Sequence, residues 1–241
     1  MSQYASRRWL FVIASLAIGM LVAPADAAEE GWVAVVEGLV ELYARFVIAG
    51  GFVGSCPGLR WQVDVLGSSV RVVFDRLPPD PSSLAVLVRM FLALTLPPVA
   101  IQVRGTPAAP SPKALPSTPS ALGLLPRTRP QLAFAVEMEP GERWLNIDVS
   151  FGGFELALAQ LVDERIELWC SVARAGGLSN VEPDLTVIPG NVGKGAPAVG
   201  VDFITTEIGY DSVAIGASAA MLNLLDELAR AQVRIDHVWI R

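Results

Sequence analysis

The chain has 241 residues, 52% hydrophobic and 17% charged, which excludes disorder along its whole length and leaves room for one large domain or two small ones. Its formal net charge is −6, its only lysines are Lys113 and Lys194, and it has no basic run. That balance argues against nucleic acid, which clustered Lys and Arg must bind by displacing counterions, and against adhesion to anionic lipid.

Residues 1–27 read as an export signal. Arg7 and Arg8 precede an apolar run from Trp9 to Val22, and Ala25-Asp26-Ala27 supplies small residues for cleavage before Ala28. The run is short of the roughly 20 residues that a spanning helix needs. The rival is an uncleaved anchor, with Trp9–Ala25 spanning a thinned bilayer. Under the first reading the protein is periplasmic or secreted; under the second it is anchored in the inner membrane with a periplasmic domain.

Residues 28–105 form an N-terminal helix and a first β-β-α-β unit. Val33, Val36, Leu39, Val40, Leu42 and Tyr43 recur at helical spacing, and Gly50-Gly51 ends the helix. Arg60–Leu66 and Ser69–Asp75 predict a hairpin turning at Gly67-Ser68. Asp80 then caps a helix with Pro81 at its first position, and Val99–Arg104 closes the unit as a strand. The Pro-rich stretch 106–130 is a solvated linker and the main boundary.

Residues 131–241 repeat the pattern twice. Leu132–Met138 and Trp144–Phe151 predict a hairpin around Pro140-Gly141, Phe154–Glu164 a helix, and Ile166–Ala173 a strand. Val199–Gly209 and Asp211–Ala217 predict two more strands, ahead of a final helix and strand. In that helix Met221, Leu224, Leu225 and Leu228 make an apolar stripe, with Asn223, Asp226, Glu227 and Arg230 toward water. The three closing strands begin at equal intervals, at Val99, Ile166 and Val233. The fold class is therefore α+β: repeated β-β-α-β units building ferredoxin-like sheets with helices on one face.

Chemistry is sparse. His237 is the single histidine and reads as a core residue of an apolar strand, since Asp236 points to the opposite face. No metal-ligand spacing or cofactor motif occurs, so no metal and no cofactor is expected. "GNVGKG" (Gly190–Gly195) lacks the spacing of a phosphate loop and reads as a flexible connector. Glu137, Glu139, Glu142 and Asp148 read as the solvated edge of a strand pair. Cys56 and Cys170 are the two cysteines: either they form one disulfide in an oxidising compartment, or Cys170 is a buried thiol.

The segments "VSFGGFELALAQLVDERIELW" (Val149–Trp169) and "VAIGASAAMLNLLDELARAQVRIDHVWI" (Val213–Ile240) each join a strand, a small-residue turn, a Leu-rich helix and a strand. With the apolar N-terminus and Pro-rich stretch, they resemble the inner-membrane platform proteins of type II secretion and type IV pilus systems. That resemblance implies ferredoxin-like domains outside the cytoplasm and no catalytic residues. The expected function is a non-enzymatic envelope scaffold, with other envelope proteins or a second copy as partners and the membrane only if the N-terminal segment is retained. The alternative is a periplasmic or secreted binding module with a cleft between two lobes; a hydrolase is the least supported.

Overall fold

The apolar N-terminal run contributes a strand. In the computed structural model, Ile18–Ala23 forms β1, the first element of the chain. The structure describes residues 18–23, 31–53, 56–66, 69–75, 78, 80, 82–94, 100–105, 122–139, 144–153, 156–181, 187, 190–231 and 233–241. Arg7 and Arg8, the cleavage site at Ala25–Ala27, Pro81, Glu142, the turns at 67–68 and 140–141, and residues 106–121 of the linker lie outside the described residues. No helix among the described residues is long and apolar enough to cross a membrane.

Helix α1 (Trp32–Ile48) ends where its glycines dictate. Gly50 takes φ 95, a left-handed conformation open to glycine. Its N–H bonds Val47 O at 3.1 Å and the Gly51 N–H bonds Phe46 O at 3.0 Å, so two orphan carbonyls of the last turn are satisfied. Strands β2 (Trp61–Leu66) and β3 (Ser69–Phe74) form the expected antiparallel pair. Helix α2 (Ser82–Leu92) starts at the Asp80 cap, whose Oδ1 accepts from Ser82 N at 2.9 Å. Strand β4 (Ala100–Gly105) follows. The sheet order is β2-β3-β1-β4, with β1 antiparallel to both β3 and β4. On the outer side of β2 and β3, Asp64 accepts from Gln62 Nε2 at 2.7 Å and pairs with Arg71.

The second half repeats this order. After β5 (Ala135–Met138) come β6 (Trp144–Phe151), α3 (Leu156–Arg174), β7 (Asn191–Lys194), the short β8 (Ala198–Val199), β9 (Phe203–Asp211), α4 (Ser218–Ala231) and β10 (Ile235–Ile240). The sheet order is β5-β10-β6-β9-β7, with β8 beside β9. Leaving aside β5 and β8, each half is β-α-β-β-α-β with its first strand between the third and fourth. That is a ferredoxin-like sheet with helices on one face, and the protein is α+β as expected.

The repeat differs from the expected three units. Two β-β-α-β units are present, β2-β3-α2-β4 and β7-β9-α4-β10, each preceded by a strand and a helix. Ile166–Ala173 is not a strand but the second half of α3. Val162, Ile166, Trp169, Cys170 and Ala173 are buried along one helical face, a 3.6-residue period inside an apolar run that also suits a strand. Asp211–Ala217 is interrupted by Ser212, at φ 64, and becomes a 3₁₀ turn at Ile215–Ala217. β5 and β6 are not a hairpin, because β10 enters between them, parallel to β5 and antiparallel to β6.

The two halves share one core. α1 packs on α2 and α3, and α3 packs on α4, so helices fill the space between the sheets. Tyr43 meets Phe74 edge-on at 5.6 Å, and Phe46 meets Phe52 at 5.3 Å. Every residue of α2 is buried, including Arg89. Its Nε donates to Gly177 O at 2.7 Å and its Nη1 to Leu122 O at 2.5 Å and Leu124 O at 3.0 Å. Burial lowers that guanidinium to about 10.

Asn223 and Asp226 do not face water as the helical stripe of α4 predicts; both are buried. Asn223 Nδ2 donates to Arg127 O at 2.7 Å, and its Oδ1 accepts from Arg129 N at 3.0 Å. Asp226 accepts from Ala133 N at 2.7 Å and pairs with Arg129 and Arg230. The described end of the Pro-rich stretch is thus pinned along α4 by the very residues whose polarity suggests exposure.

Candidate functional site: the outer face of the C-terminal sheet

Alternation along β6 sorts its side chains. Leu145, Ile147, Val149 and Phe151 are buried toward the helices, which turns Trp144, Asn146, Asp148 and Ser150 outward. β9 does the same, with Ile204, Thr206 and Ile208 inside and Phe203, Thr205 and Glu207 outside. On β10 the register slips between Ile235 and His237, a bulge that keeps Ile235, Val238 and Ile240 buried while sending His237 and Trp239 out.

His237 is therefore not a core residue. It lies half-buried on the solvent side, its ring stacked on Trp239 with centroids 3.8 Å apart and planes 14° apart. Its Nε2 is 3.5 Å from Glu137 Oε1 on β5. Glu137 and Asp148 share this face but stand on opposite sides of β10, so they do not form a carboxylate pair. Asp148 instead accepts from Arg241 Nη2 at 2.7 Å.

Two further aromatics lie on the same face. Trp144 is 58% exposed and Phe203 43%. Trp144 lies over Gly209, its cross-strand partner, where a Cβ would come within 2.9 Å of the indole. Gly200 sits beneath the Phe203 ring in the same way, leaving no room for a side chain. The face thus combines aromatic corners at Trp144, Phe203 and the His237–Trp239 stack with a polar centre of Asn146, Asp148, Ser150, Thr205 and Glu207. Such a surface can stack planar groups and accept hydrogen bonds from cationic donors.

The other sequence-predicted positions fall elsewhere. Cys56 is half-buried and Cys170 buried, and both are free thiols here rather than a disulfide. Cys170 sits on the inward face of α3, and burial pushes its thiol up to about 12. Gly190–Gly195 is not a loose connector: Asn191–Lys194 forms β7 against β9, and Lys194 Nζ pairs with Asp163 at 2.7 Å. Sequence reasoning missed Trp144 and Phe203. Their signal is a large aromatic standing in the polar phase of an alternating strand.

No family model matches this chain, and no curated protein matches it. Among solved structures it is similar to chlorite dismutase from Candidatus Nitrospira defluvii in complex with imidazole, at 12% identity over 94% of this chain and 88% of that one, with a TM-score of 0.20. A protease from Helicobacter pylori matches at 8% identity over 93% of this chain and 78% of that one, with a TM-score of 0.22. Pitrilysin matches at 11% over 91% of this chain and 34% of that one, with a TM-score of 0.22. Scores this low carry no argument about chemistry or architecture, and the fold rests on strand order alone.

Proposed function

We propose that the chain is a non-enzymatic, exported envelope protein that acts as an assembly component by seating a partner protein on the outer face of its C-terminal sheet. The observation that carries this reading is the exposure of Trp144 and Phe203 on the same face as the half-buried Trp239–His237 stack. Aromatic anchors beside polar groups are the usual composition of interface centres. The partner is a protein with basic groups around an apolar patch, because Glu137, Asp148, Glu207 and Asp211 line the face and Arg241 is held by Asp148. A second copy would bring the same carboxylates into opposition. The envelope address and the secretion or pilus setting rest on the N-terminal sequence and on the platform-protein resemblance.

The test places a photo-crosslinking amino acid at position 144 or 203, with position 35 on α1 as the exposed control, in cells that make the full chain. The expected result is a discrete adduct from 144 and 203, absent at 35 and weakened by salt. With the crosslinker at 203, Trp144→Ala should weaken the adduct strongly, as Phe203→Ala should with the crosslinker at 144, each leaving the melting temperature unchanged. No adduct, equal adducts at all three positions, or adducts only with a second copy would each sink the reading.

A further inference from the structure

The central position of the N-terminal sheet is occupied by residues that the sequence marks for removal. β1 pairs with β3 from Ile18↔Phe74 to Val22↔Val70, and with β4 from Ile18↔Gly105 to Ala23↔Ala100. The C-terminal half needs the same position filled, and fills it with β6, between β9 and β10. Yet Ala25-Asp26-Ala27 directs cleavage before Ala28, where water adds across the Ala27–Ala28 peptide bond and releases residues 1–27 as a free peptide.

Loss of β1 would leave β3 and β4 parallel to each other and two strand spacings apart, roughly 9–10 Å. Both would then present unpaired N–H and C=O groups in the middle of the sheet, and the buried Val72 and Phe74 would lose the strand paired beside them. Direct closure of β3 onto β4 would have to shift β4 by a strand spacing and pull on α2, which precedes it in the chain. That helix is wholly buried and is clamped through Arg89 to Gly177, Leu122 and Leu124, so it cannot follow.

We propose that this position is a strand-docking slot, filled in cis by Ile18–Ala23 before processing and by an apolar strand of a partner protein after it. The occupant it selects is about six residues of extended chain, antiparallel to both neighbours and apolar on both faces, as "IGMLVA" is. Main-chain hydrogen bonds on both edges supply affinity, and the need for apolar residues on both faces of a central strand supplies selectivity. The proposal rests on the export reading above but not on the C-terminal face: crosslinking at position 144 and occupancy of the slot can fail separately.

The experiment isolates the full chain after export from its own envelope and measures its intact mass and N-terminal sequence. The probe is a synthetic peptide of residues 16–25, and the readout is amide exchange in β3 and β4. The expected protein begins at Ala28 and takes up the peptide, slowing exchange at Val70–Phe74 and Ala100–Gly105 by about tenfold or more. A peptide carrying Met20→Pro should fail, because proline removes a ladder donor. The uncleaved variant Ala27→Phe should bind no peptide. If processed protein is insoluble alone, solubility gained only with the peptide supports the slot. A natural protein that retains residues 18–23 would overturn the proposal, as would a processed one with β3 and β4 already protected or indifferent to the peptide.

Discussion

Cys170 shows how one buried atom sets chemistry across the chain. On the inward face of α3 its thiolate would be desolvated, so the thiol stays protonated up to about 12. At pH 8 the folded protein should therefore yield one dye-reactive thiol, from half-buried Cys56, and two in denaturant; an oxidised pair would yield none. The same shift has a sign in stability. A thiol whose value is raised on folding stabilises the native state below the unfolded range of about 8.5 and loses that contribution as pH climbs toward 12. Tyr43 acts in the same direction, since burial raises its phenol above the ordinary value. Cys170→Ala should flatten the fall in urea midpoint between pH 8 and pH 10, and an unchanged slope would show that the thiol is solvated.

At the level of elements, what the sequence conveys is whatever is local. α1, α2, the β2–β3 pair and the alternation of β6 are legible because a period and a cap lie within one short window. The second half of α3 is not, since "IELWCSVA" satisfies both a buried strand and a buried helix; only Val162 and Ile166, read together with Trp169, decide it. The β5–β6 hairpin fails for a different reason. β10 arrives from the far end of the chain, and non-local pairing leaves no trace in a turn. The candidate face is half legible: "WLNIDVSF" reveals two faces, but the exposure of Trp144 depends on what covers the sheet. A paired prediction tests the helix. Trp169 is fully buried and its Nε1 donates to Ala217 O at 2.9 Å. Trp169→Ala should cost about 3–5 kcal/mol in urea unfolding, whereas Trp144→Ala should stay within about 0.5 kcal/mol.

For the whole molecule the decisive fact is that helices from both halves form one interior. Arg89 ties α2 to the turn after α3 and to residues 122–124, while Asn223 and Asp226 fasten residues 127–133 along α4. Thermal unfolding should then be a single transition, followed identically by probes in either sheet. Arg89→Ala leaves three carbonyls without a donor and should lower stability by about 3–5 kcal/mol, raising amide exchange in β3 and β9 together. Two separate transitions, or a loss confined to β3, would mean independent halves. A last consequence follows from the sheets lying outermost. One broad side bears Gln62, Asp64 and Arg71; the other bears Trp144, Phe203 and Trp239. A two-fold pair of copies would use only one of these unlike sides. Any assembly that engaged both sides would therefore run head to tail and carry a direction, from front to back.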